Sequence, residues 1–137
     1  MPTVPVEPSL PPTPPGVAPG NELDAEQQSR LVRALATELE QAGGGPVHHI
    51  ETHISHVLLH DGHAYKIKKA IATSFLDQST LALRRHACSE ELRLNRRLAP
   101  DLYLDAVEIT GTPEMPRLGG SGPVVDVAVH MRAFDEA

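Results

Sequence analysis

The residues with the clearest chemical potential are Lys66, in a predicted strand, and Glu91, in a predicted helix. An amine on a strand flanked by small or apolar residues can reach a phosphate as a point charge, and Ala64 lies two positions before Lys66 on the same strand face. Glu91 lies at the margin of an apolar helical stripe, where a buried carboxylate needs a partner. The pattern predicts that Glu91 faces a strand lysine; the alternative is an edge strand protected by lysines.

A run of histidines is the second chemical feature, because imidazole is the commonest transition-metal ligand. Six of the eight histidines fall between residues 48 and 63, and strand alternation divides them. One set is His48, His56 and His60, and the other is His49, His53 and His63. The sequence has no His-Glu-x-x-His motif and a single cysteine. These facts favour surface histidines, with one or two bonded to buried backbone groups, and no metal site.

The strands that would position these side chains are predicted from alternating apolar and β-branched residues. One strand should cover Thr52–His60 and the next His63–Lys69, joined by an Asp61-Gly62 hairpin turn. An additional early strand and a second hairpin complete a sheet of about five antiparallel strands; they cover Val47–Glu51, 102–110 and 123–132. Gly- and Pro-rich residues between the last two strands predict a long loop.

Two helices are predicted from residues that recur at helical spacing. The first covers 23–42, with a capping box formed by Asp24 and Gln27. The second covers 79–98, with Ser79 or Thr80 as its N-cap. Its apolar stripe is expected to contain Leu81, Cys88, Leu92 and Leu98. Its five arginines, Arg84 among them, are expected on a solvated face with local ion pairs.

Composition limits the class of protein. The 137 residues suffice for one domain, and the net charge of −6 makes a general nucleic-acid binder a poor fit. One cysteine excludes an intramolecular disulfide, and no apolar run is long enough to span a membrane. Eight prolines predict that residues 1–20 are a disordered tail. Residues 21–45 would then be a leading helix and 46–137 an α+β domain.

The order of the elements resembles the smaller, N-terminal lobe of the protein-kinase fold: a hairpin with a lysine, a helix with a glutamate, then a second hairpin. The runs AYKIKK and EELRLNRRLAPDLYLD are similar, as whole blocks, to the start of bacterial proteins of the aminoglycoside-phosphotransferase-like family. In many of those proteins a P-loop ATP-binding domain of the AAA or gluconate-kinase-like kind follows. The resemblance covers roughly residues 47–134.

The resemblance implies an ATP site. Lys66 ends His-Ala-Tyr-Lys where kinases have Val-Ala-Ile-Lys, so it would bind the α- and β-phosphates of ATP. Glu91 would form an ion pair with Lys66. Met131 would lie near the end of the hinge strand, beside the adenine. The parent protein would be a cytoplasmic phosphotransferase, a small-molecule kinase that uses ATP with magnesium.

Other parts of such an enzyme are absent from the sequence. It has no Gly-x-Gly-x-x-Gly before Lys66, no Asp-Phe-Gly, no His-x-Asp and no Gly-Lys-Ser/Thr. We therefore expect an incomplete, inactive N-lobe without catalytic residues, whose partners are a missing C-terminal lobe and a P-loop ATPase domain. Apolar residues of Val125–Met131 would then be exposed and favour self-association. The alternatives are a non-catalytic module that binds a protein or nucleotide, and a histidine-rich metal-binding protein.

Overall fold

The computed structural model describes residues 22–133. It contains two helices, α1 (Ala25–Ala42) and α2 (Leu81–Arg96). The strands are β1 (His48–Glu51), β2 (Ser55–His60), β3 (His63–Lys68), β4 (Tyr103–Gly111), β5 (Pro116–Leu118) and β6 (Val124–Arg132). All pair antiparallel in one sheet with the order β1-β2-β3-β6-β4-β5. The predicted α+β class is confirmed.

Helix α1 packs on one face of the sheet. The predicted capping box is present: the Asp24 carboxylate accepts from the Gln27 N–H at 2.8 Å, and the Gln27 side chain accepts from the Asp24 N–H at 3.0 Å. Apolar residues three and four apart form one stripe along the helix. This stripe and the sheet share a buried cluster of Leu31, Val32, Leu35, Leu58, Ile67, Ile109 and Ala128. The leading helix is therefore part of the core.

Helix α2 covers the other face. Thr80 is its N-cap, and its hydroxyl accepts from the Leu83 N–H at 3.1 Å. The helix and strand β6 share a second buried cluster that contains Leu81, Cys88, Leu92, Val127 and Val129. Val127 and Val129 flank Ala128 of the first cluster, and successive strand side chains point to opposite faces. The molecule is therefore a three-layer arrangement with the sheet in the middle.

Turn chemistry fixes the register of the β2–β3 hairpin. Asp61 and Gly62 have φ values of 52° and 78°, the left-handed conformation that a two-residue hairpin loop of this kind requires. His60 pairs with His63 across the turn, as the sequence predicts. The connection between β4 and β6, predicted as a loop, contains the short edge strand β5. This strand makes the sheet six-stranded, one strand more than the sequence indicates.

A buried polar network joins the three layers. Arg84 Nε donates to Asp126 Oδ1 at 2.9 Å, and Gln28 Nε2 donates to Asp126 Oδ2 at 2.8 Å. All three side chains have no exposed surface. Burial raises the pKa of Asp126, while the charge of Arg84 and the hydrogen bonds from Gln28, Arg84 and the Val127 N–H oppose that rise. Asp126 lies in β6, so each helix contributes one side chain to a single strand carboxylate.

Three expectations about exposure are wrong. Arg84 is buried rather than solvated, because it lies three residues after Leu81 and therefore on the apolar stripe. Leu98 is 87% exposed, since α2 ends before it. Val127 and Val129, expected to be exposed in the absence of a second lobe, are buried beneath α2. The predicted tail over residues 1–20 and the residues after 133 lie outside the part of the chain that the structure describes.

Replacing Arg84 should destabilise the fold strongly. In Arg84→Met the buried carboxylate of Asp126 loses its cationic partner, and breaking a buried ion pair costs about 3–5 kcal/mol of unfolding free energy. Urea unfolding followed by circular dichroism measures the loss. Arg93→Met is the matched control, because Arg93 forms an exposed pair with Glu90 at 2.7 Å on the same helix and such pairs add little stability. Equal effects of the two variants would contradict the role assigned to Arg84.

Candidate functional site

Two lysines and one glutamate form a cluster between β3 and α2. Lys66 Nζ donates to Glu91 Oε2 at 2.9 Å, and Lys68 Nζ donates to Glu91 Oε1 at 2.6 Å. The Lys66–Glu91 contact is the one that the resemblance implies, and the structure contains it. Lys68 is a second partner of Glu91 that was not predicted from the sequence. Each carboxylate oxygen therefore has its own ammonium donor.

Strand and helix periodicity explain how these side chains meet. Lys66 and Lys68 are two residues apart on β3, so both project from the same face, while Ile67 between them enters the core under α1. Glu91 lies three residues after Cys88, beside the buried stripe of α2. The lysine-bearing face of β3 is therefore the face that α2 covers, and Glu91 is at the edge where a lysine can reach it.

Burial and charge distinguish the two lysines. The Lys66 side chain is 29% exposed, whereas those of Lys68 and Glu91 are 11% and 13% exposed. Burial acts to raise the pKa of Glu91, but hydrogen bonds and charges from Lys68 and Lys66 outweigh it and hold that pKa below its usual range. The carboxylate is thus ionised at neutral pH. Two ammonium groups face one carboxylate, which leaves a net positive charge with Lys66 as its more accessible part.

Met131, expected beside adenine, lies on the same sheet face as Lys66. It is in β6 and pairs with Ala64, while Lys66 pairs with Val129. These are neighbouring positions on that face, because alternate residues share it. Met131 is partly buried and packs on the apolar cluster beneath α2. The structure therefore brings Met131, Ala64 and Lys66 to one region of the sheet, and the adenine-binding role of Met131 stays a prediction.

Part of the histidine run forms a compact group on the opposite face. His49 Nε2 lies 3.0 Å from His56 Nδ1, and Glu51 completes a set of three potential metal ligands whose donor atoms lie within 4.8 Å of one another. Burial lowers the pKa of His56 to about 4. Strand alternation in the sequence assigns His49 and His56 to different sets because one residue number is odd and the other even. That rule holds within one strand but not between two strands. Glu51 pairs with His56 across the sheet, so odd residues of β1 share a face with even residues of β2.

A second histidine pair lies on β3 and β6. His63 Nδ1 is 2.9 Å from His130 Nε2, and His130 Nδ1 is 2.8 Å from Asp105 Oδ1. The ring of Tyr65 stacks on that of His130 with their centroids 4.9 Å apart. Both nitrogens of His130 are thus engaged. His130 is far from the histidine run in sequence, and only the β3–β6 pairing brings it close to His63.

Comparison with known proteins gives one set of partial matches. A segment of 75 residues is 39% identical to the uncharacterized protein Rv2004c of Mycobacterium tuberculosis strain H37Rv. Uncharacterized proteins of Mycobacterium bovis and of a second Mycobacterium tuberculosis strain match equally well. The match covers 55% of this chain and 14% of each relative. No protein-family profile and no solved structure matches the chain.

Neither helix of residues 22–133 combines the length and the apolar character needed to cross a membrane. This finding agrees with the expectation from the sequence. Both helices instead have one buried stripe and one polar face, as helices packed on a sheet do.

Removing the charge of Glu91 should destabilise the protein at neutral pH and much less in acid. Glu91→Gln leaves two ammonium groups without a counter-charge, and lost hydrogen bonds to charged groups cost about 1.5–3 kcal/mol. A folded-state pKa below the ordinary 4.5 contributes stability that is present above about pH 4.5 and is lost as the pH falls through the lowered value. The difference in unfolding free energy between wild type and variant should therefore shrink from pH 7 to pH 3.

The neighbouring Glu90→Gln change is the control for this experiment. Glu90 pairs with Arg93 on the exposed side of α2, so its removal should alter the unfolding free energy little at either pH. A Glu91→Gln effect no larger than that of Glu90→Gln, or one that does not depend on pH, would show that the cluster does not stabilise the fold.

Proposed function

We propose that this chain forms the nucleotide-binding lobe of a phosphotransferase-like protein and that Lys66 binds the phosphates of ATP. The observation that carries the proposal is the charge imbalance of the Lys66–Lys68–Glu91 cluster. A partly buried site with one uncompensated positive charge attracts an anion, and lysine is a common phosphate ligand. Lys66 is the more exposed of the two lysines, so its ammonium is the one that an incoming phosphate meets.

The second lysine lowers the free-energy cost of moving Lys66 from Glu91 to a phosphate. When Lys66 turns towards a phosphate, its hydrogen bond to Glu91 at 2.9 Å weakens. Lys68 keeps the carboxylate neutralised at 2.6 Å. A buried carboxylate left alone would oppose the movement, because an uncompensated buried charge is costly. Lys68 removes this cost.

Adenine recognition is assigned to the neighbouring part of the same sheet face. Ala64 and Met131 are cross-strand partners there. A small residue next to a flexible thioether suits the flat face of a base, since methionine adapts its shape to irregular surfaces. Glu91 acts in this site by orienting Lys66 and does not itself contact the nucleotide.

Magnesium would have to be held elsewhere in a complete enzyme. Among residues 22–133 the one group of three metal-ligand side chains is His49, Glu51 and His56, and it faces away from Lys66. Magnesium prefers carboxylate oxygens and substrate phosphates, and the carboxylate that contacts Lys66, that of Glu91, already accepts hydrogen bonds from both lysines. The proposal therefore assigns binding to this chain, and assigns the base, the metal ligands and the choice of acceptor to a second lobe.

The partners follow from the same proposal. They are a C-terminal lobe and a P-loop ATPase domain in a cytoplasmic protein, and the relatives that the chain matches are much longer than the matched segment. Leu94 and Leu98 on and after α2 are 50% and 87% exposed, which supports an apolar contact with a partner lobe or a second copy of the chain. The same two leucines favour the second candidate function, a non-catalytic protein-binding module.

Phosphate recognition can be tested by following backbone amide signals in NMR titrations with ATP, tripolyphosphate and adenosine. ATP should bind weakly and shift signals around Ala64, Lys66 and Met131. Lys66→Ala removes a charge-assisted contact worth about 1.5–3 kcal/mol, so affinity for ATP and tripolyphosphate should fall roughly 10- to 100-fold, while adenosine is unaffected. Lys69→Ala is the control, because Lys69 pairs with Glu51 instead. ATP binding unchanged in Lys66→Ala would contradict the proposal.

The chain alone should not hydrolyse or transfer phosphate. Phosphoryl transfer needs a positioned base and bound magnesium, and the sequence contains neither the His-x-Asp nor the Asp-Phe-Gly motif. Incubation with radiolabelled ATP should release no phosphate, with or without magnesium. Turnover that disappears in Lys66→Ala would instead reveal a complete active site within these residues.

A further inference from the structure

The group formed by His49, Glu51 and His56 has the arrangement of a metal site. His49 and Glu51 are two residues apart on β1, so they project from one face. His56 is the direct cross-strand partner of Glu51 on β2. The three side chains thus converge from two adjacent strands, and one donor atom from each lies within 4.8 Å of the others.

The distances suit a small divalent ion. Zinc–nitrogen bonds are about 2.0–2.1 Å, so two nitrogen ligands of a tetrahedral zinc lie about 3.3 Å apart. His49 Nε2 and His56 Nδ1 are 3.0 Å apart. The two rings would therefore have to move slightly apart for zinc to bind. Two imidazoles and one carboxylate form a common three-ligand zinc set, with the fourth position open to water.

The surroundings hold this group in place. Lys69 Nζ donates to Glu51 Oε2 at 2.7 Å, and a carboxylate has enough acceptor sites to keep this bond while it binds a metal. The turn between the strands is closed by the Thr52 hydroxyl, which accepts from the Ser55 N–H at 3.0 Å. His56 is 2% exposed and cannot swing away.

A cavity of about 150 Å³ opens next to the group, between it and the start of α1. Glu51, His53 and His56 line one side, and Ala25, Gln28 and Ser29 line the other. This volume is several times what one water molecule needs. It provides room for a water in the fourth position, or for the side chain of His53.

We propose that His49, Glu51 and His56 bind a zinc ion that fastens strand β1 to the sheet. All four residues of β1 are exposed, and β2 is its sheet neighbour at this edge. Coordination by both strands adds a cross-link to an edge strand whose residues are all exposed. The site lies on the opposite face of the sheet from Lys66, so a test of zinc binding is independent of a test of the proposed function.

Zinc binding is tested on the full chain without a histidine tag, by isothermal titration with zinc chloride. One zinc per chain is expected, and Co²⁺ in its place should give the visible absorption of a tetrahedral or five-coordinate ion. His49→Ala and Glu51→Gln alter exposed side chains, so the fold should persist, which circular dichroism verifies. Each should weaken zinc binding roughly 100-fold, since even residues that only support metal ligands contribute about 10- to 100-fold.

The matched control is His63→Ala. His63 makes the same kind of contact with His130, at 2.9 Å on the same sheet face, but belongs to no group of three ligands among the described residues. It should bind zinc as the wild type does. The proposal is overturned if the wild type retains no zinc, if His49→Ala binds zinc normally, or if His63→Ala loses zinc equally. Zinc should also slow amide hydrogen exchange in β1, and unchanged exchange would refute the cross-linking role.

Discussion

The carboxylate of Asp126 is the constraint on which the rest of the structure depends. It has no exposed surface, yet it accepts hydrogen bonds from Arg84 on α2 and Gln28 on α1. Gln28 also donates to the Lys68 carbonyl at 2.8 Å and accepts from the Ala70 N–H at 2.7 Å. The end of β3 is therefore fixed relative to both helices. The lysine cluster owes its geometry to this network, since Lys68 belongs to the strand end that Gln28 holds.

Much of the fold was predictable because local signals agreed with one another. The capping box at Asp24, the Asp61-Gly62 turn and the two helical stripes each correspond to an observed feature. Strand β5 was not predictable, since three residues among glycines and prolines carry no periodicity. Arg84 was predicted to be exposed because arginine is usually found at the surface. Its spacing from Leu81, however, places it among the apolar residues of α2. An arginine can be predicted to be buried only when its acidic partner is known. Here that partner, Asp126, is 42 residues away in the sequence.

The candidate site was predictable in part for the same reason. Strand alternation and helix spacing were enough to predict that Glu91 faces a strand lysine. The resemblance favoured Lys66 as that lysine over the alternative of an exposed edge strand. Lys68 shares the face of Lys66, and that signal was available, but the sequence does not show how deeply the helix covers the strand. The histidine group required the β1–β2 register, which depends on the length of a turn. The contact between His49 and His56 depends on the register between strands and was therefore not predictable from the sequence.

The double pairing of Glu91 has a consequence for regulation. A ligand moves a conformational equilibrium only by its differential affinity for the two states. A helix glutamate with a single lysine partner would lose its ion pair with the sheet if that lysine moved to a ligand. Here the buried ammonium of Lys68 remains bound at 2.6 Å, and Arg84 anchors the same helix to Asp126. If Lys66 binds an anion as proposed, α2 would therefore keep its position, because Lys68 and Arg84 still connect the helix to the sheet.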